Sequence, residues 1–192
     1  MTGPTTLPGS AGSPQGLVKT HGLQGPIDDA FLESFLCVRP TGSGTPATPY
    51  SLVVLDQFQK DFSKWLRGDP RVKDDRDVTV SDIANNNLIL FGDPWSNHLI
   101  AKIIGKLPVQ WTKEQITLAG RTVDATTHLP VLIFPNPLNP NKYVVINSGH
   151  TFSEDDWRGT NANLYPHLGD YALISLDSHE VVTSGFFDDH WK

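Results

Sequence analysis

Apolar positions along the chain gather into short unbroken runs between turn-forming residues, and one longer stretch follows a three-and-four spacing. Gly25-Pro26-Ile27-Asp28-Asp29-Ala30-Phe31 is a turn feeding the run Phe35 to Val38, which Pro40 and Gly42 close as a first strand. Leu55, Phe58, Phe62, Trp65 and Leu66 then fall on one helical face, with Asp56, Lys60, Asp61 and Lys64 largely on the wet side. Gly68 and Pro70 stop that helix. Residues 69 to 77 are charged or proline-rich and read as an exposed loop, after which Thr79 and Ser81 are placed to cap a short helical turn. Leu88 to Phe91 form a strand buried on both faces; Gly92 permits a tight turn, Asp93 can cap, and Pro94 suits the first helical position. Leu99, Ile100, Ile103, Ile104 and Leu107 supply the buried stripe of the helix that follows, which Pro108 ends.

The second half has another character. Val109 to Val123 alternates apolar and polar residues around Gly120-Arg121 and predicts a small hairpin. Val131 to Phe134 and Tyr143 to Ile146 are two more strands of buried type, separated by Pro135-Asn136-Pro137-Leu138-Asn139-Pro140-Asn141, which reads as a stiff loop. Residues 153 to 167 look irregular or weakly helical, Tyr171 to Leu176 gives a final strand, and Phe186, Phe187 and Trp191 pin the tail. The order of elements predicts an α/β fold: a three-layer sandwich around a mostly parallel, partly mixed sheet, flavodoxin- or Rossmann-like, without a nucleotide-binding signature. Residues 1 to 20 are rich in Gly, Pro, Ser and Thr and predict a flexible linker or tail, leaving residues 21 to 192 as a single domain.

Composition narrows the partners. A net charge of −6 and a pI near 5.5, with 15 Lys and Arg that never form a basic stripe, argue against nucleic acid. The lone Cys37 excludes an internal disulfide and sits in an apolar run, where a buried inert thiol is expected. No run approaches the ~18 apolar residues of a membrane span, and the start of the chain lacks the pattern of a signal peptide.

Candidate chemistry is sparse. No Gly-x-Ser-x-Gly elbow is present. Ser148, His150 and Asp155 are the low-ranking candidates for a small hydrolase, with Asp93 and Asp156 as further carboxylates, since Ser148 follows a strand and His150 lies two residues on. His150, Asp155, Asp156, His179, Asp188, Asp189 and His190 show no recognised ligand spacing, so no metal and no cofactor is expected. At the strand-turn-helix corner, Asp93, Ser96 and Asn97, with Asn147 from the later strand end, could hold a polar ligand; the acidic Asp93 disfavours an anion there. Trp95, Trp111, Trp157 and Tyr165 could instead serve a glycan- or peptide-binding module.

Four strings, His21 to Phe31, Asn87 to Asn97, Phe134 to Pro140 and Tyr143 to Gly149, resemble in the same order the region that follows the catalytic domain in certain large bacterial proteins of the prolyl oligopeptidase or esterase type. The resemblance spans about residues 20 to 191 and implies an accessory domain of a periplasmic or secreted serine hydrolase, with an upstream α/β-hydrolase domain as partner and residues 1 to 20 as an interdomain linker. No catalytic residue carries over, because the serine elbow is missing from this chain.

Overall fold

Alternating strands and helices occupy the first half of the chain: β1 (Phe35–Arg39), α1 (Ala47–Leu66), β2 (Val72–Asp74), α2 (Val80–Asn85), β3 (Asn87–Leu90) and α3 (His98–Ile103). Strands then dominate, with β4 (Val109–Trp111), β5 (Gln115–Leu118), β6 (Arg121–Asp124), β7 (His128–Asn136) and β8 (Asn139–Ile146), followed by α4 (Glu154–Arg158), β9 (Tyr171–Ser175) and β10 (Val181–Gly185). The computed structural model describes residues 16–160 and 164–192; the tail expected over residues 1 to 20 lies outside the described residues as far as residue 15.

Seven strands form one sheet in the order β10-β9-β7-β8-β3-β1-β2, and β4-β5-β6 make a separate antiparallel sheet. Within the large sheet β2, β1, β3 and β8 are parallel neighbours, whereas β8-β7, β7-β9 and β9-β10 are antiparallel. The expected three-layer α/β sandwich is therefore corrected: the sheet is half parallel and half meander, and strand (30%) outweighs helix (28%). The reason lies in connection length. A parallel neighbour requires a crossover of a dozen or more residues, usually helical, and the segments through α1, through α2, and through α3 with the small sheet supply these for the parallel edge. Pro137 and Leu138 alone separate β7 from β8, so these strands can only pair as a hairpin. Among the described residues, α2, α3 and α4 have six residues or fewer, too few to layer both faces. The small sheet takes over part of that task, with Ile116 and Leu118 of β5 buried where β5 lies against β7.

Local departures have similar causes. The three-proline segment is no loop: Asn136 ends β7, its Oδ1 accepts from the Leu138 amide, and Asn139 opens β8. Pro94 does not start a helix. Residues 93–96 form a turn, and α3 begins at His98 because the Asn97 side chain accepts from the Leu99 and Ile100 amides. Thr79 does cap α2, through a reciprocal capping box with Asp82. Within the expected loop 69–77, Val72–Asp74 adds an edge strand and buried Asp75 accepts from the His98 backbone amide at 2.8 Å. The unexpected β10 is a half-exposed edge strand. Phe187 and Trp191 are buried as anticipated, while Phe186 is exposed. Cys37 lies fully inside β1, and burial pushes its thiol up to about 12.

The turn after β3 needs glycine. Gly92 has φ +106°, and a Cβ there would lie 2.6 Å from Ser96 Oγ and 3.1 Å from Pro40 Cβ. Gly92→Ala is expected to cost about 2 kcal/mol or more through backbone strain and overlap. Urea titration should show a lower midpoint with an unchanged slope; an unchanged midpoint would contradict this account of the turn.

Candidate functional site

The C-terminal ends of β1, β3 and β8 meet at the corner singled out in the sequence, and its polar groups are joined to one another. Asp93 is fully buried, and its carboxylate accepts five hydrogen bonds of 2.7 to 2.9 Å: from the Thr45 amide and hydroxyl, the Thr48 hydroxyl, and the Trp95 and Ser96 amides. It thus stands at the start of α1, whose own N-cap position is Pro46 and donates no side-chain cap. Asn147, in the left-handed conformation at φ 56°, brackets the Gly92 peptide: its Oδ1 accepts from the Gly92 amide and its Nδ2 donates to the Gly92 carbonyl. Asn97 caps α3 and donates to the Phe91 carbonyl, and Ser96 Oγ accepts from the Asp93 amide. The four residues expected to hold a ligand are brought together, and their polar atoms are engaged in holding the corner.

The nucleophile candidates are not brought together. Ser148 is buried and its hydroxyl donates to the Gly149 carbonyl at 2.8 Å. His150 turns into an aromatic cluster, and the Asp155 carboxylate is 94% exposed with Arg158 at 3.9 Å. Among the described residues no group of three His, Cys, Asp or Glu side chains is placed to hold a metal ion. Nor do the four aromatics form a platform. Trp111 is buried, Trp95 lies under Lys113, Trp157 stacks on Trp65, and Tyr165 tilts against His167.

Open space lies elsewhere, between α1 and the segment that leaves β8. Phe58 of α1 packs against Phe31, Phe35, Phe62 and His150, and the His150 ring in turn meets Phe152 and Trp157. Gly149 makes this approach possible, because a Cβ at that position would overlap the Phe58 ring. Asp28, buried in the 3-10 turn Ile27–Phe31, anchors the segment by accepting from the Thr151 amide at 2.7 Å and the Thr151 hydroxyl at 2.5 Å. Its neighbour Asp29 accepts from the Tyr143 hydroxyl, whose oxygen in turn accepts from the Gln24 and Gly25 amides. At the far end, Lys64 of α1 pairs with Glu154 of α4 at 2.6 Å, and Asp156 takes part in a capping box with Ser153 while pairing with His167.

Two cavities, of about 440 and 460 Å³, flank the His150 and Phe152 rings along α1. Among the described residues neither His150 nitrogen has a hydrogen-bond partner, and the same holds for the indole nitrogens of Trp65 and Trp157 nearby. Burial lowers the His150 pKa more than the charges of Asp28 and Asp61 raise it, which favours the neutral imidazole. For Asp28 burial raises the carboxyl, against the two bonds from Thr151 and the field of His150. Sequence reasoning had assigned Phe58 and Phe62 to the core and left Asp28, Phe31 and Phe152 without a role. The available signal was an aromatic stripe on α1 wider than one sheet face needs.

Comparison with protein-family models, with curated proteins and with solved structures finds no match for the chain.

Asp93 generates a pH prediction. Burial raises its carboxyl, but the bonds from Thr45, Thr48 and Trp95 outweigh burial and leave the folded pKa below the ordinary value. Its contribution to stability is therefore complete above the unfolded value of about 3.9 and is lost as pH falls through the folded pKa. Asp93→Asn should cost about 3 kcal/mol at pH 7, with donors left unpaired in a buried site, and should flatten the acid limb of stability below about pH 4. Equal urea midpoints at pH 7, or parallel acid limbs, would refute the assignment.

Proposed function

We propose that the chain is a non-catalytic accessory domain that docks or binds, associated with a serine hydrolase of the prolyl oligopeptidase or esterase type. The observation that carries this reading is the division of labour between the two regions. In open α/β sheets the reacting groups sit outside the carboxyl ends of the strands, and in this chain that position is filled by Asp93, Ser96, Asn97 and Asn147 bonded to one another and to the backbone. Ser148 lacks a base within hydrogen-bond reach, which a nucleophilic serine requires. The open volume instead lies on the α1 face and is walled by aromatic and aliphatic side chains, a surface suited to recognition.

The hydrolase association rests on the four strings of the sequence, and an exported location follows from the same resemblance. Sheet-forming residues and the absence of any helix, among the described residues, long and apolar enough to cross a membrane are compatible with it.

The purified chain is expected to give no turnover of p-nitrophenyl acetate or of an aminoacyl p-nitroanilide above blank, and Ser148→Ala and His150→Ala should change nothing. Added in trans to a catalytic domain taken from a protein that carries the four strings behind it, the chain should co-sediment with that domain. Turnover abolished by Ser148→Ala would sink the non-catalytic reading, and failure to co-sediment would sink the hydrolase association.

A further inference from the structure

The first of the two cavities has a consistent chemistry. Phe31, Phe62, Phe152 and Trp157 wall it, the carboxylates of Asp28 and Asp29 border it, and no Lys or Arg lines either cavity. Lys64 of α1 and Arg158 of α4 are already engaged: both pair with Glu154, and the Lys64 ammonium lies over the Trp65 ring. Its volume of about 440 Å³ is within the range of small-molecule sites. Aromatic faces carry negative electrostatic potential and attract a cation within about 6 Å of the ring centre, more strongly where water is excluded.

We propose that this cavity binds a small organic amine in its ammonium form, held by the ring faces of Phe31, Phe62, Phe152 and Trp157 and by the carboxylate of Asp28. One feature of the site finds its explanation in such a ligand. Asp28 is a buried carboxylate beside which no Lys or Arg lies in the cavity wall, and a cation there replaces the solvation that burial removes. An anion would face two carboxylates and the negative ring faces, while a neutral ligand would use the walls and leave Asp28 without a counter-charge. The cavity serves such a ligand whether or not the chain acts beside a hydrolase.

Benzylammonium, benzyl alcohol and benzoate share a ring and differ in charge, which makes them suitable probes of the full chain by calorimetry and by amide NMR. Benzylammonium should bind at least tenfold tighter than benzyl alcohol, a difference of about 1.4 kcal/mol, and benzoate more weakly still. Its shifts should centre on the Thr151 and Phe152 amides and the Trp157 indole. Leu32, at the cavity mouth, is 81% exposed, so its replacement leaves the core intact. Leu32→Lys should weaken benzylammonium about fivefold without altering benzyl alcohol, and Leu32→Glu should tighten it. The proposal is overturned by benzoate or benzyl alcohol binding as tightly, by shifts that centre elsewhere, by indifference to the charge at position 32, or by no saturable binding of benzylammonium at millimolar concentration.

Discussion

The buried carboxylate of Asp93 is the constraint on which the rest of this structure depends. A charge with no exposure to water survives only if its oxygens are fully bonded, and Asp93 recruits donors from two separate parts of the chain to meet that condition. Thr45 and Thr48 belong to the entrance of α1, and Trp95 and Ser96 belong to the turn that leaves β3. The helix that follows β1 is thereby fixed to the neighbouring strand, and with it the face of α1 that borders the cavities. Asn147 does the same between β3 and β8 by gripping both polar groups of the Gly92 peptide. Three adjacent parallel strands are locked at their C-terminal ends by side chains that chemistry would otherwise need free.

Connection length then decides the remainder. Parallel pairing continues as long as the chain provides crossovers, and β8 completes the parallel set beside β3 after the long excursion through α3 and the small sheet. The short turn at Pro137-Leu138 forces β7 and β8 into an antiparallel pair, and β9 and β10 extend the sheet antiparallel on the far side of β7. The two halves differ in cover as a result. On the parallel side α1 is the one long helix, and beyond its sheet-facing residues it presents Phe62, Leu66, Val53 and Tyr50 to a segment that is mostly irregular.

Much of the strand inventory was legible in the sequence, because β1, β3, the middle of β7 and the second half of β8 carry apolar runs, a pattern that burial on both faces imposes. Direction was not legible. A run such as Val131 to Phe134 reads the same in a parallel or an antiparallel partner, and the prolines flanking the β7-β8 turn pointed to a loop because their strand role depends on which face lacks a ladder bond. The edge strands β2 and β10 were hidden by their polar, exposed residues. At the corner the sequence supplied the right residues and the wrong helix start: Asp93 and Asn97 are both good caps, and only the fold shows that Asp93 serves α1 while Asn97 serves α3. Nothing local in the string Asn147-Ser148-Gly149-His150 signals that Gly149 lets the chain approach Phe58, so the aromatic cluster around His150 was beyond the reach of spacing alone.

The contrast between corner and cluster bears on where recognition resides. Polar side chains buried in a stable fold are nearly always bonded, and the corner obeys that rule to the last oxygen of Asp93. Between α1 and α4 the rule is broken four times within one cluster, at both nitrogens of His150 and at the indole nitrogens of Trp65 and Trp157. Those nitrogens are shut off from solvent, whereas the rings of His150 and Trp157 line open space bounded by α1 and by a segment pinned at Thr151 and at Glu154. Stability alone would favour an apolar residue at position 150, which would fill the same aromatic box without an imidazole to desolvate. The open space beside the His150 ring lies along α1 and is lined by none of the residues of the corner where catalysis would have been sought.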